Sequence, residues 1–411
     1  MKAFANSMAS GQRKPPNVLR RNGLLTCGRI FSGKWQPMAQ SKKILFLVSS
    51  MQGGGAERVA ALLCNYWAEA GHDIVLMPTF SGRGECLYPL DEKVRLEYLA
   101  DRVGSTSKAR WNGFRRLLAL RHVMQEFRPD AVVSFLTHVN VAALIAATGL
   151  PFPVVVSERT NPALFQLSRF WALGRRLLYR RARSVVVQTS LVREWVEANC
   201  PGARIDVIPN PVVFPLPAGE PRISPATAVG GDHSVLLAVG RLGPEKGFDS
   251  LLDAFQGAAA ENPGWNLVIL GEGPERAALE QQVIDLGLSG RAHLPGRVGN
   301  LGDWYDRADL YALSSHFEGF PNTLVEAMAY GVPPVSMDCA TGPVDIITPG
   351  KDGLLVAPET GTPGLEKALS TLMGDPVLRK SLATEAIDVR ERFAIERVAR
   401  QWSGVIGLEV E

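Results

Sequence analysis

Two glutamates lie eight positions apart in the segment FEGFPNTLVEAMAYG, residues 317–331. Glu318 stands just before a Gly-Phe-Pro-Asn turn, and Glu326 follows that turn within an otherwise apolar stretch. Because a buried carboxylate without partners is very costly to a fold, we expect both side chains to point into a ligand cleft. For Glu326 there is a structural alternative, a helix capping box in which Thr323 is the N-cap residue.

Two cations follow a predicted strand in VLLAVGRLGPEKGFDSLLDAF, residues 235–255. Arg241 and Lys246 flank a Gly-Pro turn that leads into a predicted helix. Arginine offers a planar fork and lysine a point charge, so the pair can grip a diphosphate group. The alternative is that both are ordinary solvated cations on the surface.

A glycine-rich turn, SSMQGGGAERVA, occupies residues 49–60 between the first predicted strand and a predicted helix. Gly54 and Gly55 allow the backbone to approach a ligand closely, and free N–H groups at a helix start favour anionic oxygens. The segment lacks the G-x-G-x-x-G pattern, and no acidic residue ends the next strand to bind a ribose. A plain tight turn is therefore equally compatible with these residues.

The elements that must position these residues form a regular alternation of apolar runs and helix-length segments. The predicted strands are ILFLV, DIVLM, AVVSFL, VVVSE, SVVVQT and RIDVIP in the first half, and VLLAVG, NLVILG, AHLPG, DLYALSS, PPVSM and GLLV in the second. This pattern predicts an α/β protein with parallel, doubly wound sheets. Ligands of such sheets bind beyond the carboxyl ends of the strands, here in a cleft between two domains.

Residues 209–232 interrupt the alternation with a run rich in proline and glycine that has no period. We predict that this run is a linker between a first domain, residues 44–208, and a second domain, residues 233–390. The last segment, residues 391–411, is predicted to form a helix that returns to the first domain. At 411 residues, the chain is long enough for two domains.

Several ordered motifs resemble glycosyltransferase family 4 of the GT-B superfold. They are GGGAERV, VIPNPV, GRLGPEKGFDSLLDAF, LVILGEGPERAALE, HLPGRV and EGFPNTLVEAMAYGVPPV, and the resemblance extends from residue 44 to about residue 400. It implies two Rossmann-like domains facing across a cleft, with the acceptor in the first and a nucleotide sugar in the second. The activity implied is transfer of a sugar with retention of the anomeric configuration.

The resemblance also implies roles for individual residues. Glu326 would hold the ribose hydroxyls, Glu318 the hydroxyls of the donor sugar, and Arg241 and Lys246 the diphosphate. His138, in SFLTHVN, matches a family position beside the donor sugar, although a lone histidine in an apolar run is often a core residue. Further substrate contacts are expected from Gly54, Gly55, Glu158, Arg159, Gly319, Phe320, Asn322 and Gly342.

No D-x-D motif occurs in the sequence, and such paired acids are the usual grip for Mg²⁺ or Mn²⁺ on a diphosphate. We therefore expect no metal and no other cofactor. Arg241, Lys246 and the N–H groups near Gly342 would take the place of the ion.

Two basic amphipathic helices with aromatic residues are predicted from residues 108–124 and 167–184. Such helices lie on anionic membrane leaflets, although core-facing helices with solvated arginines are the alternative. SERTNP and DCATGPVDII resemble the subgroup that extends polyprenyl-diphosphate-linked or capsular glycans, often with N-acetylgalactosamine. On that resemblance, the residues expected to steer the diphosphate of the acceptor are Arg175, Arg176, Arg180 and Arg181.

Charge is distributed unevenly along the chain. Residues 1–43 carry nine basic and no acidic residues, residues 44–214 carry 20 and 14, and residues 215–411 carry 15 and 27. The first half is therefore expected to meet an anionic surface, and a membrane fits better than nucleic acid because no nucleic-acid reader motif is found. The leader, residues 1–43, is explained either by a mistaken start codon upstream of Met38 or by a basic tail that lies on lipid.

Five scattered cysteines without a C-x-x-C pair indicate a reducing compartment, and we expect a cytoplasmic protein on the inner face of the plasma membrane. The uncharged run at residues 131–157 is broken by glycine and proline, which predicts a buried strand, helix and strand instead of a membrane span. The expected donor is a UDP-sugar and the expected acceptor a lipid-linked glycan. A soluble acceptor, or a non-catalytic protein that binds nucleotide sugars, are the alternatives.

Overall fold

The computed structural model describes residues 41–80, 84, 86–103, 112–164, 167–230 and 233–408. Almost all of the basic leader, including Met38, lies outside these residues. The same holds for residues 108–111 of the first predicted basic helix, residues 231–232 of the predicted linker, and the last three residues of the chain.

The first sheet has seven parallel strands within the described part of the chain, in the order β3-β2-β1-β4-β5-β6-β7. The strands are β1 Lys43–Val48, β2 Asp73–Pro78, β3 Val94–Leu96, β4 Ala131–Phe135, β5 Val154–Ser157, β6 Ser184–Val187 and β7 Ile205–Val207. Their central members β1, β4 and β5 are apolar and buried over most of their length, because helices cover both faces of a parallel sheet. The helices of this half are α1 Gly55–Glu69, α2 Leu99–Val103, α3 Asn112–Phe127, α4 Thr137–Ala146, α5 Arg169–Leu178 and α6 Ser190–Asn199.

The second sheet has six parallel strands among the residues described, in the order β10-β9-β8-β11-β12-β13. The strands are β8 Ser234–Val239, β9 Trp265–Leu270, β10 Ala292–Gly296, β11 Leu310–Leu313, β12 Pro334–Met337 and β13 Leu354–Val356. The remaining helices are α7 Pro225–Val229, α8 Phe248–Glu261, α9 Arg276–Asp285, α10 Leu301–Arg307, α11 Asn322–Ala329, α12 Pro343–Ile346, α13 Gly361–Gly374, α14 Pro376–Ala386, α15 Val389–Arg392 and α16 Ile395–Ile406.

The predicted fold class is confirmed, since both sheets are parallel and each predicted strand is present. The run at residues 131–157 forms β4, α4 and β5, as predicted. The short strand β3 was not predicted, and the segment predicted as a linker contains the helix α7.

The chain crosses between the two halves twice. Val212, in the segment after β7, donates its N–H to the Phe393 carbonyl at 2.8 Å, so the two crossings lie side by side. Helix α16 then packs on the first half, where the Trp402 and Phe135 ring centroids are 5.6 Å apart. The Trp67 indole N–H donates to the Ser403 hydroxyl at 3.3 Å in the same interface.

Strand order reverses at one point in each sheet. Strand β1 lies between β2 and β4, and β8 lies between β9 and β11. Ligands of open parallel sheets bind at such reversal points, beyond the carboxyl ends of the strands. The loops that follow β1, β8 and β11 carry the glycine-rich turn, the predicted cations and Glu318, so the fold gathers these segments at one edge of each sheet.

Candidate active site

A cleft of about 420 Å³ lies between the two halves of the molecule. Its walls combine residues that follow strands of both sheets. The lining residues are Gly55, Ala56, Glu57, Leu136, Arg159, Thr160, Asn161, Leu164, Gln188, Asn210, Glu245, Lys246, Phe317, Glu318, Gly319 and Phe320. This set contains carboxylates, cations and amides from distant parts of the sequence.

Lys246 and Glu318 form an ion pair in the wall of the cleft that belongs to the second half. The Lys246 Nζ lies 2.6 Å from Glu318 Oε1, which also accepts a hydrogen bond of 2.7 Å from the Ser315 hydroxyl. Only glycine fits the next position, because Gly247 has a φ of +58° and a Cβ there would lie 2.4 Å from the Ser314 carbonyl oxygen. The close approach of the β8–α8 turn to the end of β11 is what brings the cation to the carboxylate.

Arg241 lies at the mouth of this side, with its side chain 69% exposed. Its Nε and Nη2 atoms donate to Glu245 Oε1 at 3.1 and 2.7 Å. Burial raises the pKa of the Glu245 carboxyl, but the hydrogen bond and charge of Arg241 outweigh burial and lower that pKa overall. Glu245 therefore stays ionised, and it is a cleft residue that the sequence did not single out.

Glu326 is 3% exposed and lies on α11. Its Oε1 accepts a hydrogen bond from Arg58 Nη1, and its Oε2 accepts one of 3.2 Å from the Tyr305 hydroxyl. Burial raises the pKa of Glu326, and the positive charge of Arg58 counteracts that rise. Because Arg58 belongs to α1 in the first half, this ion pair joins the two halves.

The capping-box alternative for Glu326 is wrong. Helix α11 begins at Asn322 after Pro321, so Thr323 is not the N-cap residue. The Thr323 hydroxyl instead accepts a hydrogen bond of 2.7 Å from the Tyr311 hydroxyl. The carboxylate of Glu326 is thus held by side chains from elsewhere, and no local helix-capping role accounts for it.

The glycine-rich turn approaches the second half closely. Gly53 and Gly54 have φ values of +130° and +139°, a region that favours glycine. A Cβ on Gly55 would lie 3.1 Å from Asn322 Nδ2, across the cleft. Arg58 follows one helical turn after Gly54. Its pairing with Glu326 was not predicted, although Arg58 belongs to the GGGAERV motif.

An amide network joins the segment after β7 to both walls. Asn210 Oδ1 accepts hydrogen bonds from Arg159 Nη2 and, at 2.7 Å, from Gln188 Nε2. Asn210 Nδ2 donates to Asn322 Oδ1 at 2.6 Å. Asn210 and Gln188 were not among the predicted site residues, although Asn210 belongs to the VIPNPV motif.

The neighbours Glu158 and Arg159, which follow β5, have different surroundings. Glu158 is buried within the first half, where it accepts hydrogen bonds from Thr137 and Tyr179 and where burial raises its pKa. Arg159 lines the cleft, with its guanidinium 4.3 Å from the centroid of the Phe135 ring. Burial lowers the pKa of Arg159 to about 9, so this side chain remains charged at neutral pH.

The chain packs closely against other segments at Gly319, Phe320 and Gly342. A Cβ on Gly319 would lie 2.8 Å from the Arg159 carbonyl oxygen across the cleft. Gly342 has a φ of +100°, and a Cβ there would lie 2.6 Å from Pro321 Cδ. The Phe320 ring is buried against Phe393, with their centroids 5.5 Å apart. These residues shape the cleft through close backbone contact.

His138 is the second residue of α4 and packs between two aromatic rings. Its centroid lies 4.8 Å from that of Trp171 and 6.4 Å from that of Phe80. The cleft is lined by Leu136, two positions earlier, whose φ of +77° is rare for a residue with a side chain. Burial lowers the pKa of His138, which favours the neutral imidazole.

The structure separates the four arginines that were grouped in the sequence. Arg175 is 7% exposed, with its guanidinium 4.3 Å from the centroid of the Trp195 ring. Arg176 is exposed on α5. Arg180 and Arg181 are exposed in a 3₁₀ turn, Tyr179–Arg181, that directly precedes β6. Because they precede a parallel strand, they lie at the sheet edge opposite the cleft.

Two further features concern metals and membranes. Among the described residues, no cluster of three or more His, Cys, Asp or Glu side chains is arranged to hold a metal ion. In the same part of the chain, every helix is too short or too polar to cross a membrane.

Two protein-family models match the chain, one in each half. A model described as Glycosyltransferase Family 4 matches residues 53–213, and one described as Glycosyl transferases group 1 matches residues 220–389. The chain belongs to glycosyltransferase family 4. The sequence resemblance to that family and the GT-B fold are thereby confirmed.

Two relatives of this family 4 glycosyltransferase align with most of its length. It is 31% identical over 387 residues to "Exopolysaccharide phosphotransferase SCO2592" of Streptomyces coelicolor, covering 88% of this chain but 40% of that protein. It is 28% identical over 366 residues to a Campylobacter jejuni protein, covering 89% and 98% of the two chains. That protein is named "GalNAc-alpha-(1->4)-GalNAc-alpha-(1->3)-diNAcBac-PP-undecaprenol alpha-1,4-N-acetyl-D-galactosaminyltransferase".

A solved structure has the same fold. It is described as Anabaena Alr3699/HepE in complex with UDP and glucose, and it matches with a TM-score of 0.73 at 21% identity. The match covers 89% of this chain and 99% of that one.

Proposed function

We propose that this glycosyltransferase moves a sugar from a nucleotide sugar to a membrane-associated glycan acceptor, with retention of the anomeric configuration. One observation carries the proposal: the cleft lining contains Lys246, Glu318 and Glu245, and three cation–carboxylate pairs lie in or next to it. They are Arg58 with Glu326, Arg241 with Glu245, and Lys246 with Glu318. A nucleotide sugar offers both kinds of partner that these groups need, phosphate oxygens and hydroxyls.

Donor binding then exchanges each internal ion pair for contacts with the ligand. Lys246 and Arg241 turn to the diphosphate, where charge-assisted hydrogen bonds are strongest. Glu318 accepts from hydroxyls of the donor sugar and Glu326 from those of the ribose, so neither carboxylate is left buried without a partner. Gly54, Gly55 and Asn322, together with the backbone near Gly319, Phe320 and Gly342, complete the surface against which the donor lies.

The chemistry needs stabilisation of a leaving group more than it needs a protein base. The bond between the anomeric carbon and the diphosphate oxygen breaks, and positive charge develops on the sugar while negative charge develops on the diphosphate. Fixed cations placed where charge develops typically contribute about 3 kcal/mol each. The acceptor hydroxyl oxygen bonds to the anomeric carbon on the same face, and its proton passes to the departing phosphate oxygen.

Lys246 and Arg241 would supply the positive charge that a divalent ion supplies in other glycosyltransferases. We therefore propose metal-independent activity. Transfer rates in excess EDTA should equal those without chelator, and loss of activity that Mn²⁺ restores would contradict this proposal.

The proposed donor is a UDP-sugar, because the Anabaena structure contains UDP. The proposed sugar is an N-acetylhexosamine, which the name of the Campylobacter relative supports. The proposed acceptor is a polyprenyl-diphosphate-linked glycan on the inner face of the plasma membrane. Exposed cations such as Arg176 on α5, and the basic character of the first half, suit an anionic leaflet.

A panel experiment tests these proposals together. The protein is incubated with UDP- and GDP-sugars, each with and without a polyprenyl-diphosphate glycan, and nucleotide release and product linkage are measured. We expect release with one UDP-sugar to rise strongly in the presence of the lipid-linked acceptor, and the product to be an α-glycoside from an α-linked donor. Equal rates with a lipid-free glycan would favour a soluble acceptor, and nucleotide binding without turnover would favour a non-catalytic role.

A further inference from the structure

A second cavity, of about 310 Å³, lies in the first half between α3, α4 and α5. We name it the α3–α5 groove. Among the described residues, its walls are almost entirely apolar, and they include Phe80, Phe114, Leu117, Ile145, Phe170 and Trp171. The volume is at the lower end of the range of about 300–1,000 Å³ that small-molecule sites occupy.

The rim of the groove exposes large apolar side chains to water. Phe114 is 57% exposed and Phe170 is 65% exposed, and Leu173 and Leu177 extend the same surface along α5 at 56% and 49%. An exposed apolar surface of this extent is uncommon on a soluble domain and marks an interaction site. It would be stabilised by contact with a hydrocarbon.

The groove reaches the edge of the sheet where the cleft lies. Helices α4 and α5 follow the carboxyl ends of β4 and β5. Helix α3 leads back to β4, and its Arg116 contacts Thr79 and Phe80 just after β2, so all three helices begin at that edge. His138 packs against Phe80 and Trp171, which line the groove, and Leu136 two positions earlier lines the cleft. His138 thus lies between residues of the two cavities, and an extended ligand that occupied both would pass it.

One arginine lines the groove, and two exposed arginines are next to its rim residues in the sequence. Arg116 lines it, and its Nη1 donates to the carbonyl oxygens of Thr79 and Phe80 at 2.9 and 3.2 Å. Arg115 and Arg169 are exposed beside the two rim phenylalanines in sequence. No acidic residue occurs between residues 112 and 125 or between 163 and 183. An apolar groove with adjacent arginines suits a hydrocarbon chain that carries an anionic head group.

We propose that the α3–α5 groove binds the first isoprenoid units of a prenyl-diphosphate acceptor. The diphosphate lies at Arg115, Arg116 and Arg169, and the attached saccharide reaches past His138 into the cleft. The inference rests on the proposed function for its acceptor class, and it adds that the protein itself holds part of the lipid chain. Selectivity then exists for the lipid of the acceptor as well as for its glycan.

The test measures binding without any transfer reaction. The full chain is titrated with farnesyl diphosphate and with methyl diphosphate, both below the concentration at which the prenyl compound aggregates. We expect farnesyl diphosphate to bind at least tenfold more tightly. The double variant Phe114→Ser/Phe170→Ser should lose most of that difference, whereas Ile284→Ser/Val377→Ser should keep it. The control pair is more exposed than the test pair, at 61% and 79%, and lies in the second half.

Three outcomes are distinguished by parallel measurements on the same proteins. Equal affinity for the two diphosphates in the unaltered protein would overturn the groove proposal, even if sugar transfer occurs. Retained prenyl selectivity in the groove variant, with loss of binding to anionic vesicles, would show that this face contacts the bilayer instead. UDP binding and transfer to a lipid-free glycan report on the proposed function separately, and both should be unchanged in the groove variant.

Discussion

Lys246 and Glu318, which are 72 positions apart in the sequence, form an ion pair of 2.6 Å in the lining of the cleft. Both side chains are largely buried, at 21% and 11% exposed. A buried charge without a partner is strongly destabilising, so each residue compensates the buried charge of the other. The proposed donor has to replace both partners at once, which makes recognition of its phosphates and of its sugar interdependent.

The first prediction concerns Lys246. Lys246→Ala should lower kcat about 100-fold, since roughly 3 kcal/mol of leaving-group stabilisation corresponds to about that factor. Affinity for uridine, which has no phosphate, should change little. The measurement is steady-state transfer together with nucleoside binding. Lys351→Ala removes a lysine that is 59% exposed in the same half and serves as the control. Equal loss in both variants would contradict the assignment.

The second prediction separates Glu318 from the nucleotide. Glu318→Gln keeps the volume of the side chain but removes its charge, so hydrogen bonds from sugar hydroxyls weaken. We expect UDP affinity to be retained or to rise, because Lys246 no longer has to leave an ionised partner, and UDP-sugar turnover to fall roughly 10- to 100-fold. Titration calorimetry with UDP and kinetics with the UDP-sugar provide the comparison. Glu280→Gln, at an exposed ion pair with Arg276, is the matched control.

A third prediction follows from the raised pKa of Glu326. The ionised carboxylate is the form that accepts ribose hydroxyls, so donor affinity should fall as pH drops through that pKa, which lies above the usual 4.5. The charge of Arg58 lowers this pKa. Arg58→Ala should therefore move the acid limb of donor binding to higher pH. Binding titrations between pH 4.5 and 8 measure the shift, and Glu326→Gln should abolish the limb. An unmoved limb in Arg58→Ala would rule out the coupling.

A fourth prediction tests the approach of the two halves. In Gly319→Ala the new Cβ would lie 2.8 Å from the Arg159 carbonyl oxygen, so the walls of the cleft must separate. Misplacement of reacting groups by about 1 Å can cost on the order of 100-fold in rate. We expect transfer to fall by that order while the melting temperature changes by only a few degrees. Gly264→Ala meets no atom within 4 Å and should leave transfer unchanged.

Local sequence patterns were sufficient to predict the fold. Short apolar runs and their alternation with helix-length segments identified the strands other than β3. Strands buried on both faces, such as β1 and β8, are apolar over most of their length. Strand β3 has three residues, of which Val94 is buried and Arg95 is exposed. Its pairing with β2 defines it, and no periodicity can show in so short a run.

Contacts across the cleft are beyond such patterns. The pairs Arg58–Glu326 and Asn210–Asn322 join residues 268 and 112 positions apart, so nothing in either segment alone predicts them. The arginine run shows that neighbours in sequence can lie far apart in the fold, which the sequence pattern alone does not reveal. Helix α5 spans ten residues, about 15 Å, and thus carries the chain from the cleft edge of the sheet to the far edge before Arg180.

The return of α16 to the first half has a consequence for biosynthesis. Phe135 and Trp67 are covered by Trp402 and Ser403, which leave the ribosome more than 260 residues later. The first half therefore leaves this apolar surface exposed until α16 has been translated, at about 5–20 residues per second. Nascent chains should expose this apolar surface to chaperones for tens of seconds, until α16 has emerged from the ribosome and covered it.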